Sequence, residues 1–200
     1  MKAYIFGNGP SLKTFDFETL DTTRKYFGAI KEVRTYGVNK IFKLWENNTD
    51  FSWRPTDYVI GEMPSYSEEN VKENLFKIAQ VGTIRMHIQK GFSGFENLIV
   101  RNYCPFSYFE TCSGIEKHKW HLPDVCGYGT VVNIAMQIAV LDGAEEIELI
   151  GCDLGDTHFY GGEFNGDILA LKAHKIASKY CPVPVIAHGK LEKIYKRDNA

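Results

Sequence analysis

The chain lacks the signatures that would settle its chemistry at once. No G-x-x-x-x-G-K-[ST] element occurs, so no lysine stands in a glycine loop to reach β- and γ-phosphates. No C-x-x-C pair and no H-x-x-x-H or H-E-x-x-H occurs, which argues against a structural or catalytic zinc site and leaves no metal ligand set to assign. No apolar run approaches the ~20 residues a bilayer requires, so no transmembrane segment is expected. The apolar start is short and broken by Gly7-Asn8-Gly9, unlike a secretory leader. An excess of one charge is missing too: 23 Lys+Arg stand against 25 Asp+Glu, a net charge of −2 that excludes a broad basic field for nucleic acid. The five cysteines are odd in number and scattered, as in a reduced, cytoplasmic protein. Aromatic residues are plentiful, at 14%, and many fall between Phe42 and Phe109.

What is present is an alternation of apolar runs. Strand-like runs cover residues 3–6, 33–38, 57–60, 83–88, 97–100, 146–150 and 183–187. The last carries Pro182 and Pro184 and is expected near an edge. Between the runs lie helical patterns. Ser65 with Glu68 forms a capping box before Val71, Leu75, Ile78 and Ala79, and Gly82 closes that run. Residues 130–142 are nearly all apolar, with Asn133 and Gln137 as the polar stripe, which predicts a helix buried against a sheet. Asp167 opens a third helix that Cys181-Pro182 stops. Strands alternating with helices predict an α/β fold: a Rossmann-like, mainly parallel, doubly wound sheet with helices on both faces. The 200 residues suit a single nucleotide-binding domain spanning 1–200, with an irregular excursion over 62–125.

In such a sheet ligands bind beyond the carboxyl ends of the strands, where the strand order reverses. Four segments are expected there: Gly7-Asn8-Gly9-Pro10-Ser11, Gly37-Val38-Asn39-Lys40, Cys126-Gly127-Tyr128-Gly129-Thr130 and Gly151-Cys152-Asp153-Leu154-Gly155-Asp156. In the first, the glycines permit close approach to a ligand, and Pro10 suits the first position of a helix whose N-terminus would face phosphate. The turn is not G-x-G-x-x-G, since Leu12 holds the third glycine position. Asn8, Asn39, Thr130 and Asp153 suit hydrogen bonding to a base and ribose better than pairing a triphosphate. Each also has a plain structural reading: a tight turn for the glycines, a left-handed turn residue for Asn39, a cap for Asp153. His158 and Tyr160 continue from the fourth segment and could serve as a general base and a hydrogen-bond donor to phosphate, with His188 as the alternative base; the plain readings are an ordinary loop histidine and a packing tyrosine. Trp45, Trp53, Tyr58, Trp120 and Tyr128 could stack on an acceptor sugar or fill the core.

Gly-Asn-Gly-Pro-Ser-Leu at 7–12, Asn39 after the second strand and Gly-Ala-Glu-Glu-Ile-Glu-Leu-Ile-Gly-Cys-Asp at 143–153 together resemble the bacterial sialyltransferases of the Campylobacter type. They also resemble the broader DUF115-like group of Rossmann-like proteins, which includes an archaeal pterin pyrophosphokinase. The first resemblance implies a CMP-sugar donor, a glycan acceptor, a histidine base and no cofactor required for the chemistry. It assigns Asn8, Gly9 and Asn39 to the nucleotide, Asp153 to the ribose or the sugar, and Gly129-Thr130 to the family's Ser/Thr-Gly loop in reversed order. The family's His-x-x-x-His segment matches His158 at its first histidine and Gly162 at its second, the position of the base, and the lid is reduced or absent. The second resemblance implies Mg²⁺ and ATP, with Asp153 and Asp156 as ligands. A nucleotide-binding relative without catalysis and a homo-oligomer are further alternatives.

Overall fold

A computed structural model describes residues 1–20, 33–46, 52–61, 68–79, 85–88, 98–100, 103–104, 125–126, 130–162 and 167–196. The strands are β1 (Lys2–Phe6), β2 (Val33–Val38), β3 (Asp57–Val59), β4 (Arg85–Ile88), β5 (Leu98–Val100), β6 (Tyr103–Cys104), β7 (Val125–Cys126), β8 (Glu146–Ile150) and β9 (Val185–Ile186). The α-helices with both ends among the described residues are α1 (Glu68–Ala79), α2 (Val131–Leu141), α3 (Asp167–Tyr180) and α4 (Glu192–Tyr195). Seven strands form one sheet in the order β5-β4-β3-β2-β1-β8-β9, with every neighbouring pair parallel. β6 and β7 form a separate parallel pair, which the sequence pattern did not announce. This is the α/β, Rossmann-like fold expected.

Both faces of the sheet are covered, as parallel pairing requires. Side chains alternate along β1, so Ala3 and Ile5 face one layer and Phe6 the other. On the first face α2 lies against β1 and β2, with Ile134, Ala135, Ile138 and Ala139 fully buried. The two alanines let the helix axis come close to the strands. α3 and α4 join this layer through Ala177 and Tyr195. On the second face Phe6, Tyr58 and Ile60 pack with Val71, Leu75 and Ile78 of α1.

The expected helix after the glycine turn is instead a short 3-10 turn, Pro10–Thr14, with Pro10 at its start. Phe15 leaves it in extended conformation. The reason is tertiary: Phe15 and Phe17 close on Phe6 at centroid separations of 5.5 and 5.6 Å, and Trp53 joins at 4.6 Å from Phe6. Continuing the helix would take those rings out of the cluster. The third expected helix and its stop at Cys181-Pro182 are present as α3. The last strand is short and at the edge, beside β8. Ser65 and Gly82 lie outside the described residues.

Candidate functional site

The strand order reverses between β1 and β8, and their carboxyl-end loops meet there. The contact is close enough to account for the glycines. Gly7 donates its N–H to the Ile150 carbonyl at 2.8 Å and Gly9 donates to the Gly151 carbonyl at 2.7 Å. A Cβ on Gly7 would collide with the Gly151 carbonyl oxygen, and one on Gly9 with Asp153 Oδ2. Gly7 and Gly9 therefore make room for the neighbouring loop. Ser11 donates its N–H to Asp153 Oδ2 at 2.8 Å and its hydroxyl to Oδ1 at 2.5 Å. The N–H groups of Gly9 and Ser11, at the turn expected to face phosphate, are thus both spent inside the chain. Asp153 acts as a cap that locks Pro10 and Ser11 to the β8 loop.

Asn8 is placed differently. Its Nδ2 donates to the Val38 carbonyl at 3.2 Å, tying the turn to the end of β2. Its carbonyl accepts from the Phe159 N–H at 2.8 Å, tying it to the His158–Tyr160 segment. Its side-chain Oδ1 is buried and meets no donor among the described residues. A buried carbonyl oxygen without a donor is costly unless a ligand or water supplies one.

His158 and Tyr160 stack in parallel with ring centroids 4.9 Å apart. Burial pulls the His158 pKa below its ordinary value, a bond to the Asn8 backbone opposes this, and the Lys40 ammonium lowers it further. The imidazole is thus neutral and basic at neutral pH. The backbone closes a turn through His158 N–H to the Gly162 carbonyl at 3.3 Å and Gly161 N–H to the His158 carbonyl at 3.0 Å. Gly162, where the resemblance places a second histidine, has φ 86° and serves the turn.

Asn39 has φ 45°, the left-handed conformation anticipated as its structural reading. Its Oδ1 accepts from the Gly61 N–H at 3.0 Å, and its carbonyl accepts from the Tyr58 hydroxyl. Leu154, in the β8 loop, also has positive φ, 50°, and its carbonyl accepts from Lys190 Nζ at 2.7 Å. Left-handed backbone at a leucine is strained, and both positive-φ residues without a glycine's freedom belong to loops at the carboxyl ends of strands.

Other sequence candidates fall elsewhere. Thr130 is the N-cap of α2 and accepts from Val132 N–H at 3.3 Å, while Gly129 lies outside the described residues. His188 pairs with Glu148 of β8 at 3.2 Å and is exposed. Trp45, Trp53 and Tyr58 are buried in the second-face core; Trp120 and Tyr128 are outside the described residues. Burial pushes the Cys152 thiol up to about 12, so it stays protonated.

Among the described residues, Asp57, His87 and Asp142 bring ligand atoms within 4.8 Å of one another. That cluster lies at the amino ends of β3 and β4 and the C-terminus of α2, opposite the crevice. Arg85 Nη2 already reaches Asp57 at 2.5 Å and Asp142 at 3.2 Å, filling with a guanidinium the place a cation would take. Sequence reasoning overlooked this cluster and also Lys40 as a charge beside the crevice; the signal for Lys40 was its place next to Asn39.

No family model matches this chain. No curated protein matches it in sequence. In three dimensions it is similar to a tyrosine-to-phenylalanine variant of the sialyltransferase Cst-II in complex with CMP. The TM-score is 0.57 at 14% identity, over 98% of this chain and 85% of that one. An asparagine-to-alanine variant of the same enzyme with CMP gives a TM-score of 0.54 at 13% identity, over 94% and 82%. CstII from Campylobacter jejuni with CMP aligns over 98% and 84%, at 16% identity and a TM-score of 0.49. The likeness is one of fold. No described helix is long and apolar enough to cross a membrane.

Proposed function

We propose that this chain is a glycosyltransferase that takes a CMP-sugar-type donor and passes the sugar to a glycan hydroxyl. The observation that carries the reading is Asn8. Its buried, donorless Oδ1 sits at the switch point, between the ends of β1 and β2 and the His158–Tyr160 turn. A base amino group or a ribose hydroxyl supplies the missing donor. The fold's neighbours that hold CMP support the same ligand class.

In this mechanism His158 takes the proton of the acceptor hydroxyl. The acceptor oxygen forms a bond to the anomeric carbon while the bond from that carbon to the phosphate oxygen breaks, and CMP leaves. Tyr160, stacked on His158, offers its hydroxyl to the departing phosphate. No metal is required for these steps. Because the His158 pKa is lowered, the base form persists to below the ordinary value of ~6.5, and transfer falls only at more acidic pH.

Thermal-shift measurements with CMP, CDP, UDP, GDP and ATP, each with and without Mg²⁺, test the ligand class. A shift with CMP that ignores Mg²⁺ is expected. A shift with ATP only when Mg²⁺ is present would replace this reading with a diphosphotransferase. His158→Ala is expected to lower transfer from a CMP-sugar by about 10²–10⁴-fold while CMP still binds. Binding of CMP without turnover of any donor by the unaltered protein would leave a nucleotide-binding protein that is not an enzyme.

A further inference from the structure

The glycine turn has no N–H left for an anion at Gly7, Gly9 or Ser11, so a phosphate in this crevice needs another source of positive charge. Lys40 is half-buried, directly after the left-handed Asn39. Most lysines that contact a carboxylate here are well paired: Lys2 with Glu146 and Glu148, Lys43 and Lys77 with Glu46, Lys196 with Glu192. Lys40 has no carboxylate partner among the described residues.

Its position follows from Asn8. Val38, which accepts from the Asn8 amide, lies on one side, and Phe159, which donates to the Asn8 carbonyl, on the other. The segments that carry Lys40 and His158 are therefore both tied to Asn8. The charge of Lys40 is felt at the His158 ring, consistent with that placement. The Asp153 carboxylate on the same turn is taken up by Ser11, through its N–H and its hydroxyl. A partly desolvated ammonium without a counter-ion is held at a cost that an arriving anion removes.

We propose that Lys40 is the countercharge for the phosphate of the bound nucleotide, in place of the backbone anion cradle that the β1 turn has given up to the β8 loop. This rests on the nucleotide reading above. It also assigns a preference: the crevice takes a nucleoside monophosphate unit over the corresponding nucleoside.

Calorimetric titration of the full chain with CMP and with cytidine, for the unaltered protein, Lys40→Gln and Lys40→Arg, tests it. The unaltered protein is expected to bind CMP at least ~10-fold more tightly than cytidine. Lys40→Gln should lose most of that preference through weaker CMP binding, with cytidine affinity unchanged, and Lys40→Arg should keep most of it. An undiminished preference in Lys40→Gln overturns the proposal. Equal affinity for CMP and cytidine in the unaltered protein overturns it too, but leaves the nucleotide reading standing. Failure to bind either ligand overturns both. A ligand-free check uses NMR titration of His158: removing Lys40 should raise its pKa, and an unchanged value would place Lys40 too far away to act.

Discussion

The two ends of the central sheet treat buried polar groups in opposite ways. At the amino end, Tyr36, Asp57 and Arg85 stand side by side in register on β2, β3 and β4. Asp57, fully buried, accepts from Thr56 at 2.9 Å and His87 at 2.9 Å and pairs with Arg85 at 2.5 Å. Asp142, capping the C-terminus of α2, takes Arg34 at 2.9 Å, Tyr36 at 3.0 Å and Arg85 at 3.2 Å. Burial, with these two carboxylates beside it, raises the Tyr36 phenol pKa and keeps it protonated. At the carboxyl end, among the described residues, Asn8 Oδ1 meets no donor and Lys40 meets no carboxylate, and Leu154 is held in a left-handed conformation. One end has spent its polar groups on itself. The other keeps some in reserve, and that difference separates the clasp from the proposed binding site more clearly than residue type does.

Substitutions at each end can break this contrast. Asp57→Ala leaves His87 without its buried acceptor and Arg85 with Asp142 alone, and should lower unfolding free energy by about 3–5 kcal/mol in urea denaturation. A loss below ~1 kcal/mol would show that the amino-end network is not a clasp. The next effect isolates acid sensitivity from both ends. Burial lowers the His174 pKa from 6.5 to about 3, next to Tyr195 at 2.8 Å. Between those two values the unfolded chain binds the extra proton, so this contribution is complete above pH ~6.5 and declines as pH falls toward ~3. By pH 5 the loss should be about 2 kcal/mol, and His174→Gln should flatten that part of the stability profile. A profile unchanged in the variant would assign the acid sensitivity to other groups.

Asp153→Ala removes both Ser11 bonds and should cost about 1 kcal/mol, as loss of a cap does. If nucleotide binding then becomes insensitive to Mg²⁺ where before it depended on it, Asp153 is a metal ligand and the cap is secondary. The smallest change in stability is expected at Asn8. Asn8→Ala gives up the bond to Val38 but also removes the donorless oxygen, so the melting curve should move by no more than ~0.5 kcal/mol equivalent. CMP affinity should nevertheless fall by about 10-fold. Loss of stability comparable to Asp57→Ala would mean that Asn8 is structural.

Much of the fold was legible because apolar runs and caps are local signals. Residues 3–6, 33–38 and 146–150 match β1, β2 and β8, and Thr130 caps α2 where the apolar stretch begins. Legibility failed where the answer depends on which strand lies beside which. Asp57, His87 and Asp142 are far apart in sequence, and only the order of β2, β3 and β4 brings them together. The same holds for Gly9 and Asp153: the sequence does not show that the glycine also makes room for another loop. The 3-10 turn at Pro10 was missed because Phe15 and Phe17 answer to Phe6 and Trp53 rather than to helical spacing.

The bond from Ser11 to Asp153 joins residues 142 positions apart. β1 lies between β2 and β8, and β8 follows both in the chain, so the second edge of β1 stays open until β8 has left the ribosome. Until then the Gly7–Ser11 turn has neither of its two backbone acceptors nor its cap. A nascent chain can assemble β1 through β5 and still have no crevice. The site is thus completed late, and any truncation before Gly151 removes not only the His158 segment but the shape of the turn at the opposite end of the sequence.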